Sequence, residues 1–210
     1  MDMSNCSVVV EIPQDTINEF EVDGQKLYLD AIYRKYHHAM MKATVIDVHC
    51  PNGQRSEIGV GDIVYCHHFI IAPDSEVPDA QGRNLRLVEY EQIYCKLMGD
   101  KIKMLNGYAL LAPIEAKREE RKIVGGFDLN ASSTGQGSIK VGAGNKIDYM
   151  KRMGIIKHKP DNYKEVEVGD KVVIIPDADF DIKIEGIEYF RVRQDELMMV
   201  VPEGADIEVI

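Results

Sequence analysis

A chain of 210 residues with a formal net charge of −10 has no basic face with which to displace phosphate counterions, so nucleic acid is not expected as a partner. Hydrophobic residues make up 45% of it, ordinary for a globular protein, and no apolar run approaches the ~20 residues that span a bilayer. Met1-Asp2-Met3-Ser4-Asn5 lacks the basic and apolar segments of a secretory leader, so a cytoplasmic chain with no membrane contact is expected.

Cys6-Ser7-Val8-Val9-Val10-Glu11-Ile12-Pro13 is predicted as a first strand, β-branched and stopped by a proline that cannot donate to a ladder. Residues 14–41 show no clean period and carry Tyr28, Tyr33, Tyr36, His37 and His38, which reads as a long irregular connection. Within it, Asp23-Gly24 offers a turn ahead of the short apolar triplet Leu27-Tyr28-Leu29. Lys42-Ala43-Thr44-Val45-Ile46-Asp47-Val48 resumes as a strand, and Pro51-Asn52-Gly53 turns it. Val60-Gly61-Asp62 then leads into a strand over residues 63–71. Residues 72–84, rich in Pro, Asp and Gly, join that strand as a hairpin to Leu85-Arg86-Leu87-Val88. Glu89-Tyr90-Glu91-Gln92 is a polar turn, and Ile93-Tyr94-Cys95-Lys96-Leu97 a closing strand.

The second half repeats this order. Val168-Gly169-Asp170-Lys171-Val172 stands 108 positions after Val60-Gly61-Asp62-Ile63-Val64, and in each copy Gly supplies backbone freedom while Asp can bond the turn amides. Gly107-Tyr108-Ala109-Leu110-Leu111-Ala112-Pro113 is the new first strand, a long connection covers residues 115–152, and Gly154-Ile155-Ile156-Lys157 resumes. A hairpin around Glu185-Gly186, the strand Tyr189-Phe190-Arg191-Val192, the polar turn Gln194-Asp195-Glu196 and the strand Leu197-Met198-Met199-Val200-Val201 complete it. The chain therefore reads as all-β, two copies of one unit with a boundary near residues 99–106. The four cysteines, Cys6, Cys50, Cys66 and Cys95, all lie in the first copy, and reduced core thiols are expected.

In this order the second half resembles a GroES-type co-chaperonin subunit. The resemblance rests on the strand Ala109 to Glu115, a charged loop bearing Gly125-Gly126-Phe127-Asp128-Leu129, the Gly154-Ile155-Ile156 strand and the Val168 to Val172 turn. Its last element is Tyr189-Phe190-Arg191-Val192-Arg193-Gln194-Asp195-Glu196-Leu197. The first half resembles the same unit through Val60 to Val64 and Val88 to Leu97. The resemblance implies two tandem GroES-like small β-barrels with long mobile loops, over residues 1–103, the more divergent copy, and 104–210. It further implies a homo-oligomeric ring that caps a chaperonin ring and assists ATP-dependent folding of an enclosed, unfolded substrate protein. The chaperonin-binding residues implied are Gly125, Gly126, Phe127, Asp128 and Leu129, with Leu27, Tyr28 and Leu29 as their equivalents in the first copy. Only residues 52–59 and 161–166 stand where bacterial members carry a long roof hairpin, which is similar to phage-encoded co-chaperonins.

The loop has a physical rationale beside the resemblance. Gly125-Gly126 and Ala131-Ser132-Ser133-Thr134-Gly135-Gln136-Gly137 bury little apolar area against a backbone entropy of roughly 1–2 kcal/mol per residue. Phe127 and Leu129 share one side of an extended segment, a two-pronged anchor that binds weakly alone and firmly when several loops act together. His49-Cys50 and Cys66-His67-His68 are zinc-ligand types, yet no Cys-x-x-Cys pair accompanies them and the second copy has no counterpart, so no metal is expected. No nucleophile-base order, phosphate loop or paired carboxylates stand out, and Gly135-Gln136-Gly137 and Gly142-Ala143-Gly144 lack the third glycine of a dinucleotide turn. Neither an enzyme nor a cofactor is expected. The alternative expectation is a structural or assembly protein, for example a phage particle component built on the same barrel.

Overall fold

The alternating β-branched runs form strands in the computed structural model, which describes residues 6–16, 19–22, 25–28, 39–51, 57–115, 123–124, 127–128, 149–176, 178, 180–202 and 205. In chain order the first half carries β1 (Ser7–Glu11), β2 (Glu19–Val22), β3 (Gln25–Tyr28), β4 (Lys42–His49), β5 (Ile63–Cys66), β6 (Glu76–Val77), β7 (Leu85–Glu89), β8 (Ile93–Met98) and β9 (Lys101–Met104). The second carries β10 (Tyr108–Glu115), β11 (Ile123–Val124), β12 (Phe127–Asp128), β13 (Tyr149–His158), β14 (Lys171–Ile174), β15 (Phe180–Ile184), β16 (Ile187–Arg193) and β17 (Leu197–Val200). All pairings are antiparallel, and helical structure among the described residues is confined to short 3-10 turns, none long and apolar enough to cross a membrane. The chain is all-β.

Two large sheets share one strand order. The first runs β6-β7-β1-β4-β5-β8-β9 and the second β15-β16-β10-β13-β14-β17. Among the described residues the second repeats the first strand for strand, with β9 the single addition. The repeat extends to irregularities: the β1/β4 register shifts between Val9 and Val10, and β10/β13 between Leu110 and Leu111. Likewise β5/β8 shifts between Tyr65 and Cys66, and β14/β17 between Val173 and Ile174. Such bulges bend a strand and increase its twist, so the curvature of the unit is duplicated with its order. In the first core Val8, Val10, Val45, Val64, Val88 and Ile93 pack together, and in the second Leu111, Ile156, Val172, Ile174, Phe190 and Val192 do so. Each sheet thus folds round its own apolar face.

The Val-Gly-Asp turns are identical in their bonding. Gly61 N–H donates to the Val45 carbonyl at 2.8 Å, the Gly59 N–H to Asp62 Oδ2 at 2.9 Å, and Asp62 N–H to the Gly59 carbonyl at 3.1 Å. In the second copy Gly169 donates to Ile156 at 2.8 Å, Glu167 N–H to Asp170 Oδ2 at 2.8 Å, and Asp170 N–H to Glu167 at 3.1 Å. Gly61 and Gly169 sit at φ +90° and +105°, where a Cβ is strained. The polar turns also match: 3-10 turns Tyr90–Gln92 and Gln194–Glu196 are closed by Gln92 and Glu196 side chains accepting from the Glu89 and Arg193 amides. Glu185 and Gly186 both have positive φ, as a two-residue β16-ward hairpin requires.

Three expectations are corrected. The predicted strand over residues 63–71 ends at Cys66, because His67 Nδ1 accepts from the Phe69 amide at 3.2 Å and starts the 3-10 turn His68–Ile71, burying Ile70 and Ile71. Residues 72–84 do not join β5 to β7 as a hairpin, because β7 pairs with β1 and β6 while β5 pairs with β4 and β8. The cysteines are not all reduced: Ser7 lies opposite His49, which makes Cys6 and Cys50 the next opposed pair, and they form a disulfide with Cα atoms 4.3 Å apart. Cys66 and Cys95 are buried thiols, and burial pushes Cys95 up to about 12 and Cys66 further.

Gly61→Ala and Gly169→Ala are each expected to cost about 1–2 kcal/mol in urea unfolding. Gly59→Ala, in open space at an ordinary φ, should change stability by less than about 0.5 kcal/mol. The Cys6–Cys50 bridge closes a separation of 44 residues, so Cys6→Ser/Cys50→Ser is expected to lower stability by about 2–4 kcal/mol. Dithiothreitol should do the same to the native protein and leave the double variant unmoved.

Candidate functional site

Each long connection carries a small hairpin of its own, separate from both large sheets. β2 pairs with β3 from Glu19↔Tyr28 to Val22↔Gln25, and β11 with β12 through Ile123↔Asp128 and Val124↔Phe127. Asp23-Gly24 separates the first pair of strands in sequence and Gly125-Gly126 the second, the residue types that two-residue hairpin connections use. The hairpins stand 102 positions apart, Val22 to Val124, close to the 101 that carries Ser7 of β1 onto Tyr108 of β10. They are therefore equivalent elements of the two copies.

Of the residues expected to bind a partner, Leu27 and Tyr28 lie in β3, and Phe127 and Asp128 in β12. Leu29, Gly125, Gly126 and Leu129 lie outside the described residues, as do residues 131–137 and His37-His38. Hairpin register places Phe127 at the position of Gln25 and Asp128 at that of Lys26, so Leu27 lies two positions beyond the counterpart of Phe127. The apolar triplet of the first copy is thus displaced by two residues from that of the second. The structure brings neither group to the other: the two hairpins pair only within themselves among the described residues.

The sequence did not signal a second feature, the seam between the sheets. Tyr65, Tyr94 and Met104 of the first sheet pack against Tyr108, Ile182 and Tyr189 of the second in one buried cluster. The Arg191 guanidinium lies 5.0 Å from the Tyr94 ring centre, 5.3 Å from Tyr108 and 5.1 Å from Phe180, while Tyr94 meets Tyr108 edge-on at 4.7 Å. Arg191 Nε and Tyr94 Oη are buried without a hydrogen-bond partner, so the ring faces supply the electrostatic compensation for the cation. At the rim Glu185 accepts from Lys42 at 2.6 Å and from the Tyr65 hydroxyl at 3.0 Å, and both bonds hold its carboxyl below the usual range. Burial, reinforced by Glu185, raises Tyr65 to about 12. His68 stacks on Phe180 at 5.0 Å. Half-buried His67 is depressed to about 4, first by desolvation and then by the charges of His68 and Arg191.

Beside the seam lies a cleft of about 540 Å³ between Glu57, Tyr90 and Glu91 on one side and Pro160, Asp161 and Arg193 on the other. Its Lys103 is paired with Glu57 at 2.6 Å. No group of three or more His, Cys, Asp or Glu is placed to hold a metal among the described residues. Of the zinc-ligand types, Cys50 is held in the disulfide, and His68 lies in a 3-10 turn rather than on the strand face of Cys66. The chain matches no family model and no curated protein.

His67 sets a pH dependence. Unfolded histidine titrates near 6.5 and His67 in the folded chain near 4, so between those values the unfolded state alone takes up the proton. Its contribution is therefore complete above about pH 6.5 and is lost progressively towards pH 4. The melting temperature is expected to fall between about pH 7.5 and about pH 5, and His67→Asn, which retains a cap acceptor, to reduce that fall by on the order of 2 °C.

Proposed function

We propose that the chain is a co-chaperonin: two tandem small β-barrels of GroES-like type, assembled into a homo-oligomeric ring that caps a chaperonin in the cytoplasm and helps an enclosed substrate protein fold. The single observation that carries this reading is the duplicated unit with its duplicated hairpin. In both copies the same strand order and the same bulges recur, and in both the long connection after the first strand bears a hairpin independent of the sheet. Such a hairpin can engage a partner without disturbing the sheet, and two per chain multiply on a ring into many weak attachments. Each raises the effective concentration of the next, while ordering costs keep each reversible, as a cap that must come off requires. ATP hydrolysis belongs to the partner in this reading, and the chain supplies no catalytic group.

Phe127, Asp128 and Leu129 after Gly125-Gly126 form the proposed anchor of the second copy, and the segment from Gln25 through Leu27, Tyr28 and Leu29 that of the first. Co-sedimentation with a GroEL-type chaperonin, with and without ATP, tests this. Nucleotide-dependent binding is expected for the native chain and a loss of at least about tenfold in affinity for Phe127→Ser/Leu129→Ser, since several anchors vanish together on one ring. Binding that survives this variant and is lost in Leu27→Ser/Leu29→Ser moves the anchor to the first copy. Absence of nucleotide-dependent binding by the native chain overturns the reading in favour of an assembly or particle component.

A further inference from the structure

Among the described residues Arg86 is the one buried charged side chain, 5% exposed at a position of β7 opposite Val10. The duplicated unit shows what that position otherwise carries. Beside the matching bulge Leu111 opposes Phe190, equally buried at 5% and packed in the second core. A guanidinium in place of a phenyl ring adds little to stability, since a buried ion pair exchanges for apolar residues of similar volume at about no net cost. What Arg86 contributes is what it holds.

Arg86 Nη2 donates to Asp15 Oδ1 at 2.7 Å and Arg86 Nε to Asn84 Oδ1 at 3.1 Å. Asn84 Nδ2 donates to the same Asp15 oxygen at 2.8 Å, and the Asn84 carbonyl accepts from the Ile12 amide at 3.1 Å. Glu76, which faces Arg86 from β6, stands 3.9 Å away. Asp15 lies where the chain has left β1 for the first long connection, and its own carbonyl accepts at 2.9 Å from the amide of Met40, where the chain returns. Thr16 and Ala39 form a bridge one step further out. Entry and exit of the connection are thus tied to each other at the main chain, and to β7 through one carboxylate. The second unit carries neither member of the tie: Phe190 replaces the cation, and the offset of 101 that matches β1 to β10 puts Ala116 at the sequence position of Asp15.

We propose that Arg86 is a positioning residue, which through Asp15 fixes the neck of the first long connection against β7. The β2–β3 hairpin lies between Thr16 and Ala39 in sequence, so this neck sets where the first arm leaves the unit. That the arm binds a chaperonin rests on the co-chaperonin reading, whereas the tie itself does not. In that reading a neck closed beforehand lowers the ordering cost of each attachment, and this ionic tie belongs to the first arm alone.

Amide hydrogen exchange, urea unfolding and chaperonin binding of Arg86→Phe and Asp15→Ala test it. Arg86→Phe installs the second unit's own core residue, so its urea midpoint is expected to stay within about 10% of the native value. The Met40 amide is expected to exchange about tenfold faster, the loss of one charge-assisted hydrogen bond, while the Tyr90 amide, bonded to Cys6 at the far end of β1, keeps its native rate. Asp15→Ala, made at a half-exposed side chain, is expected to speed Met40 exchange alike, and to add nothing when combined with Arg86→Phe, since either change removes the same tie. A Met40 rate unchanged in both single variants overturns the proposal. So does one that rises only in step with Tyr90, which is general loosening and not release of the neck. With a GroEL-type chaperonin and ATP, Arg86→Phe is expected to bind at least about threefold more weakly than the native chain. A freed neck with native affinity overturns the positioning of a binding arm. A native chain that does not bind overturns the co-chaperonin reading instead, and the exchange rates still decide the tie.

Discussion

The seam centred on Arg191, Tyr94 and Tyr108 decides how the two halves of this chain relate. A guanidinium placed among three aromatic rings is less costly to desolvate than an ammonium, and its planar charge matches the ring faces on either side. Because Tyr94 belongs to the last long strand of the first unit and Tyr108 to the first strand of the second, the contact joins one copy's tail to the next copy's head.

Within each unit the local devices serve curvature. A bulge in the β1/β4 pair, a second in β5/β8, and a Gly-Asp turn that exchanges two hydrogen bonds with Val45 of the preceding strand and closes two within itself bend each sheet around its apolar face. The duplication of these irregularities is stronger than the duplication of apolar residues, since apolar patterns recur in unrelated strands while a bulge at a matched position does not. The second unit reaches the same bend without a disulfide, and the Cys6–Cys50 bridge is therefore an addition to a geometry that does not require it.

The proposed function draws on elements that lie outside the curved sheets. Hairpins in the two long connections share a position in the unit but not a sequence: Gln25-Lys26-Leu27-Tyr28 occupies the arm that Phe127-Asp128 occupies in the other. Equivalent placement with divergent side chains is how a duplicated protein divides one binding role into two unequal parts. The seam, by contrast, is specialised in one copy only, with Tyr94 where the second copy has Met198 and Arg191 where the first has Leu87.

Sequence by itself determined the elements whose cause is local. Val-Gly-Asp turns, the Glu185-Gly186 hairpin and the polar turns at Tyr90 and Gln194 were legible because a positive φ or a capping side chain acts within four residues. The order of strands along the chain followed from their repetition, whereas their order within each sheet did not, since β7 pairs with β1 rather than β5. Tertiary structure alone decided the Cys6–Cys50 bridge, since opposition of residues 44 apart depends on register across β1 and β4, and register is set by the whole buried face. It also decided β9, a Lys-Ile-Lys-Met segment too short and too charged to read as a strand until β8 offers it a ladder. The early end of β5 belongs there too, because a β-branched run through Ile71 favours a strand until His67 caps the turn that buries Ile70 and Ile71. Finally, only the fold shows that Tyr94 is buried and Met198 is not, because burial at equivalent positions of a repeated unit is set by what packs against them.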